Sequence, residues 1–257
     1  MLLKVLGCSG AELPEMRAPA FLLDGTLLLD AGTVGTVLNE SEQLTIRQAV
    51  LTHSHLDHIK GLPLLADNII LRGAKQQVEV LALQETLDIL HQHLFNGLIW
   101  PDFTKIPNAT EPVLRFRELP QRQTVQVGDY SVTACPVHHS VPAAGIVVEK
   151  GSTALLYTGD TGPTDDIWRL RDHYTAVIVE VSFPDALEDM ARLTGHLTPS
   201  LLQQELAKCP CRPQRIFVTH VKPQYFQDIR TELHKLAIPG VELLKDGAIY
   251  NLAAASV

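Results

Sequence analysis

The sequence predicts an α+β protein built in layers, with two β-sheets sandwiched between helices. Two observations predict it. Apolar strand-like runs alternate with helical stretches in both halves of the chain, and several of those runs are followed directly by a His or an Asp. The second pattern arises when loops on one rim of a layered sheet converge on a site. With 257 residues, 46% hydrophobic and 19% charged, the chain can bury one large core or two small ones, and it reads as a single domain over 1–257.

The amino-terminal part opens as a sheet. Leu2 to Leu6, Ala20 to Leu23 and Thr26 to Leu29 are short apolar runs, and Asp24-Gly25 between the last two is a hairpin signal. Gly7-Cys8-Ser9-Gly10 lacks the lysine of a nucleotide-binding loop and the spacing of a dinucleotide fingerprint, so it reads as a tight turn near the site. Asp30-Ala31-Gly32-Thr33 ends a strand, where it is placed to support site residues from behind. Met1 to Leu6 is too short for a signal sequence and no run reaches the length of a membrane span. Cys8, Cys135, Cys209 and Cys211 show no framework of paired spacings and read as reduced thiols, which suggests a cytoplasmic protein.

After the apolar Ala49-Val50-Leu51 comes Thr52-His53-Ser54-His55-Leu56-Asp57-His58. Three imidazoles and a carboxylate packed this closely would leave polar groups stranded unless a multivalent cation held them. Positions i and i+2 of extended chain point the same way, so His53 and His55 can grip one ion. Asp57 and His58 then face a neighbouring ion as the chain turns into a helix marked by Ile59, Leu62, Leu64 and Leu65. This stretch reads as the floor of a two-metal site.

Val78 to Leu81 reads as a strand and Glu85 to Leu94 as a helix. The following stretch sets Phe95, Trp100 and Phe103 among polar groups, broken by Gly and Pro. Residue type alone favours core packing for these rings, with a lid or pocket wall as the alternative. Val125 to Val127, Ser131 to Val137, Ile146 to Glu149 and Ala154 to Tyr157 are further strands. His138-His139 closes one of them, and because neighbours on a strand face opposite ways only one can enter the site; His139 is preferred and His138 is left behind it or exposed. Asp160, between two glycines at the next strand end, is placed to bridge two ions or simply to make a turn. Ala176 to Val181 carries Glu180. Thr198 and Pro199 are an N-cap and first helical residue, so His196 sits at a helix start, where local sequence favours a capping or solvated role. Ile216 to Thr219 delivers His220.

His53-x-His55-x-Asp57-His58, His139, Asp160 and His220, in this order, resemble the ligand set of the metallo-β-lactamase fold superfamily. The resemblance spans nearly the whole chain. It implies an αββα four-layer sandwich of two mixed sheets flanked by helices, with His53, His55 and His139 on one metal, Asp57, His58 and His220 on the other, and Asp160 bridging. Zinc is the expected ion, with manganese or iron as alternatives. Within the superfamily the chain resembles the class II cyclic-nucleotide phosphodiesterases through Leu6-Gly-Cys-Ser-Gly10, the segment His53 to Leu62, Phe95-Asn96, Ile99 to Phe103, Gly195 to Pro199 and His220-Val-Lys-Pro223.

That second resemblance turns the segment at about 85–110 into an expected substrate-pocket insert, with Phe95, Asn96, Trp100 and Lys222 as substrate contacts. It implies hydrolysis of a 3',5'-cyclic nucleotide or similar small phosphodiester by a water that two ions activate at neutral pH. Asp57 would orient that water. His196, held by Glu180, would protonate the leaving alkoxide. Ribonuclease Z is the competing relative through His139 to Pro142, Glu180 to Phe183 and Gly195 to Thr198. Against it stand a net charge of −8, scattered Lys and Arg, and no basic glycine-rich arm, so no stable nucleic-acid partner and no membrane are expected. A non-phosphate ester or lactone hydrolase and a non-catalytic metal-binding scaffold are the further alternatives. A homo-oligomer, such as a dimer, is compatible with the sequence.

Overall fold

The structure, a computed structural model, describes residues 1–73 and 75–252; the remaining six positions of the expected domain lie outside the described residues. In chain order the strands are β1 (Leu2–Gly7), β2 (Ala20–Leu23), β3 (Leu27–Leu29), β4 (Gln48–Val50), β5 (Val78–Ala82), β6 (Leu114–Glu118), β7 (Thr124–Val127), β8 (Tyr130–Pro136), β9 (Ala144–Lys150), β10 (Thr153–Tyr157), β11 (Ala176–Glu180), β12 (Arg215–Thr219), β13 (Val241–Leu243) and β14 (Ile249–Asn251). The helices are α1 (Glu40–Gln43), α2 (Leu56–Ile59), α3 (Gly61–Leu71), α4 (Gln84–Ile89), α5 (Glu188–Thr194), α6 (Pro199–Leu206) and α7 (Phe226–Leu236).

The strands form two seven-stranded sheets, ordered β14-β1-β2-β3-β4-β5-β6 and β13-β12-β11-β10-β9-β8-β7. Both are mixed. β3 to β6 run parallel in the first sheet and β10 to β13 in the second, and the remaining pairs are antiparallel.

Alternation along the central strands fixes the layers. In β11, Ile178 joins the core between the sheets, where Phe21, Val50 and Leu81 meet Val132, Ile146 and Phe217, whereas Val177 and Val179 join the opposite face. That face is covered by Leu201 and Leu202 of α6 and by Ile229 and Leu233 of α7. On the first sheet, Ala49 and Val80 face outward onto Leu62, Leu65 and Ile69 of α3. Strands buried on both faces read as continuous apolar runs, which is why β4, β5, β11 and β12 are visible in the sequence.

Several local signals act as expected. Asp24 and Gly25 take φ of 47° and 74°, the two positive values of a type I′ turn, and join β2 to β3 with Leu23 opposite Leu27. Thr198 caps α6 by accepting from the Leu201 N–H, with Pro199 in its first turn.

The segment between β5 and β6 departs from expectation. The predicted helix over 85–94 is α4 followed by a π-helical turn at Leu90–Leu94. Phe95 is fully buried in the outer core of the first sheet, 6.0 Å from the Phe116 ring, so its ring has no face left for a ligand. Trp100 packs half-buried against the same cluster. The Asn96 side chain accepts from the Leu98 and Ile99 N–H groups and donates to the Gln92 carbonyl, so its amide organises its own loop. Core packing, the reading from residue type alone, is the outcome for Phe95.

Candidate metal centre

The ligand candidates converge at the carboxyl ends of the strands. β4 runs into Leu51 and Thr52, and the chain then presents His53 and His55 before α2 begins, with Asp57 and His58 in the first turn of that helix. His139 follows β8, Asp160 follows β10, and His220 follows β12. His220 has a left-handed backbone, φ 60°, which its surroundings impose. Its N–H donates to the Cys8 carbonyl at 2.8 Å, and the Gly10 N–H donates to the Val221 carbonyl. Gly10 lies so close that a Cβ there would meet the His220 carbonyl oxygen at 2.4 Å, so the tight turn predicted at 7–10 is a wall of the centre.

Three overlapping groups of donor atoms form: His53, His55, His139 and Asp160; Asp57, His58 and His220; and Asp160, His196 and His220, the atoms of each lying within 4.8 Å of one another. Asp160 belongs to two of them. Its Oδ2 is 3.9 Å from His53 Nε2, 4.0 Å from His139 Nε2 and 3.2 Å from His220 Nε2, while its Oδ1 is 3.4 Å from His58 Nε2. The Asp57 Oδ2 is 3.3 Å from His220 Nε2 and 3.8 Å from His58 Nε2. His138 is exposed.

Each of four imidazoles has its other nitrogen held, which fixes the ring and aims the remaining nitrogen inward. His53 Nδ1 meets Thr52 Oγ1 at 2.9 Å, His58 Nδ1 meets Asp30 Oδ2 at 2.7 Å, His139 Nδ1 meets the Gly195 carbonyl at 2.9 Å, and His220 Nδ1 meets Ser182 Oγ at 2.8 Å. Asp30 is itself saturated, accepting from the Thr52 N–H and hydroxyl and from the Tyr157 hydroxyl. Burial and the neighbouring Asp30 push the Tyr157 phenol well above its ordinary value, so it stays a neutral donor.

The electrostatics suit donors to a cation. Burial, then the His58 charge, holds His53 well below the usual imidazole range, and burial also lowers His55 and His139. For Asp160, burial works toward the neutral acid, but the His220 and His58 charges win and hold it well below the carboxylate range. His53 Nε2, His58 Nε2 and Asp160 Oδ1 are buried without a hydrogen-bond partner. Buried polar atoms are ordinarily satisfied, so three such atoms aimed at one space fit a divalent ion. Imidazole nitrogens and carboxylate oxygens are donors that zinc, manganese and iron accept.

Beside the centre, Glu180 and His196 pair as expected. His196 Nδ1 lies 2.7 Å from Glu180 Oε1, with His196 8% exposed and Glu180 fully buried. Burial opposes the charged ring, but Glu180 raises His196 above its ordinary value. The His196 and His220 rings stack with centroids 5.5 Å apart.

The matching family model settles the lineage: the β-lactamase superfamily domain matches residues 27–221. The chain belongs to that superfamily. Its four layers are those of the metallo-β-lactamase fold. Unliganded yeast PDE1 superposes with a TM-score of 0.82 at 19% identity, covering 96% of this chain and 98% of that one. Among curated superfamily relatives, a probable 3',5'-cyclic-nucleotide phosphodiesterase of Yersinia pestis is 27% identical over 78% of this chain and 66% of its own length. Ribonuclease Z of Pyrococcus abyssi is 29% identical over 56% of this chain and 47% of its own. The chain therefore spans less than two thirds of these relatives. Among the described residues no helix is long and apolar enough to cross a membrane.

Lys222 lies beside Phe183 and His196. The Lys222 ammonium lies 5.3 Å from the Phe183 ring centroid, and its charge is felt at His196. Phe183 in turn is 5.7 Å from the His196 ring. Sequence reasoning passed over Tyr157 and Ser182, which touch the ligands' far nitrogens or their supports; each was visible only as a polar residue ending or following an apolar strand.

Proposed function

We propose that the chain is a binuclear metal-dependent phosphodiesterase acting on a 3',5'-cyclic nucleotide or similar small phosphodiester. The observation that carries this reading is Asp160, whose carboxylate stands between two imidazole groups with Nε2 atoms of His58 and His220 at 3.4 and 3.2 Å. His53, His55 and His139 would hold one ion, Asp57, His58 and His220 the other, and Asp160 both. When bound, two divalent ions supply Lewis acidity toward phosphoryl oxygens and lower the pKa of a water to about 7.

The chain's own residues supply the rest. Asp57, with 35% of its side chain exposed, faces the open side of the centre, where it accepts a hydrogen bond from the attacking water and aims it. The water gives up one proton to solvent as its oxygen forms the new P–O bond, and the bond to the 3' oxygen breaks, its electron pair staying on that oxygen. His196 gives the leaving oxygen a proton from Nε2, because Nδ1 is engaged by Glu180; solvent restores it. Among the described residues no ion pair or hydrogen bond occupies the Lys222 ammonium, which leaves it for a phosphoryl oxygen.

A panel on metal-replete protein tests the reading: cyclic AMP, cyclic GMP, bis(p-nitrophenyl) phosphate, a precursor transfer RNA and a lactone, each with and without chelator. The ribonuclease Z reading is supported by the Pyrococcus relative and opposed by the net charge of −8. It predicts turnover of the RNA and not of the cyclic nucleotides.

A further inference from the structure

We propose that Ser182 is a positioning residue whose single hydroxyl ties the metal ligand His220 to the proton-donor pair Glu180 and His196. The inference rests on the metal-hydrolase reading above. Four polar atoms surround Ser182 Oγ: His220 Nδ1 at 2.8 Å, Glu180 Oε2 at 2.9 Å, and His196 Nδ1 and the His220 carbonyl oxygen at 3.2 Å each. A hydroxyl has one hydrogen and two lone pairs, so these contacts cannot all be served at once.

The neighbours decide the direction. Glu180 Oε1 already accepts from the Thr161 N–H at 3.1 Å and lies 2.7 Å from His196 Nδ1. Glu180 Oε2 accepts from Ser182, which sends the only hydroxyl hydrogen that way. A lone pair of Oγ then faces His220 Nδ1, which must carry the ring's hydrogen. Nε2 is left with its lone pair aimed toward Asp57 and Asp160, the form that binds a metal. Had the hydroxyl pointed at Nδ1 instead, Nε2 would hold the hydrogen and could not ligate.

The backbone holds Ser182 at this junction. Its N–H donates to the Leu197 carbonyl, on the loop that carries His196, and the Val181 N–H donates to the Thr219 carbonyl, next to His220. Ser182 and Glu180 are fully buried and His220 is 2% exposed, so solvent does not stand in for a lost oxygen. Removing the hydroxyl strips His220 Nδ1 of its acceptor and Glu180 Oε2 of its donor together. One atom thus serves both metal binding and leaving-group protonation.

The test compares Ser182→Ala and Ser182→Thr with the parent in two measurements. Zinc affinity by competition with a chromophoric chelator should fall about 10- to 100-fold for one of two ions in Ser182→Ala and return toward the parent in Ser182→Thr. The rate on cyclic AMP, whose leaving alkoxide needs a proton, should fall at least about 10-fold more than the rate on bis(p-nitrophenyl) phosphate, whose phenolate does not. Two ions held at parental affinity in Ser182→Ala, or equal rate losses on the two substrates, would overturn the proposal. If Ser182→Ala does not unfold cooperatively, Ser182→Cys is read the same way. Should the parent turn over no phosphodiester, the functional reading fails and the zinc titration alone decides Ser182: one weakened ion upholds it, two unchanged ions overturn it.

Discussion

His58 Nδ1 and Asp30 Oδ2 lie 2.7 Å apart with both side chains fully buried, and the same Asp30 holds Thr52 and Tyr157. Three strand ends are thereby pinned to one carboxylate. Asp30→Ala leaves a buried imidazole without its counter-charge, a change that costs about 3–5 kcal/mol. Urea unfolding should show that loss, and zinc affinity should fall about 10- to 100-fold. Parental values in both would show that Asp30 supports nothing.

Ligands and donor separate cleanly by metal content. His53→Ala and Asp57→Ala should lose both bound metal and turnover, whereas His196→Ala should keep its metal and lose about 10²- to 10⁴-fold in rate. Elemental analysis beside steady-state kinetics reads both. Full activity in His196→Ala would remove it from the mechanism.

Phe95 and Lys222, both read from the sequence as substrate contacts, should behave differently when replaced. Phe95→Ala, which empties a core position, should cost about 3–5 kcal/mol with KM unchanged. Lys222→Met should raise KM about 10-fold with little change in stability, as for loss of one charged hydrogen bond. A raised KM with parental stability in Phe95→Ala would return the insert to the pocket.

Acid should act through Asp24. Burial pushes this carboxyl upward, but hydrogen bonds from the Leu2 N–H, Lys150 and Tyr130 outweigh it, so its native pKa is lowered. A lowered native value contributes stability that is present above the unfolded value, roughly 3.9, and is lost as pH falls through the native one. Asp24→Asn, which tolerates the positive φ, should cost about 1 kcal/mol at pH 7. That difference should close as pH falls below about 4, as denaturant unfolding across pH would show; a constant difference would contradict it.

Much of this was legible in the sequence because strands buried on both faces announce themselves and ligands follow them directly. Glu180 and Asp30 were legible as carboxylates at strand ends. The short β13 and β14, whose residues are half-buried or exposed, carry no such run and exist because β12 and β1 offer edges to pair with. α7 had a readable signal, Ile229 and Leu233 one turn apart on its buried side, that went unread. Phe95 illustrates the opposite failure. Its motif suggested a pocket, but burial is decided by what packs around it, here Phe116 and the outer face of the first sheet.

The most direct measurement is the product formed from cyclic AMP by the metal-replete protein, followed by phosphorus NMR with and without chelator. The account predicts a nucleoside 5'-monophosphate, appearing only when metal is present. Cleavage of precursor transfer RNA by the same preparation, with cyclic AMP left intact, would contradict it.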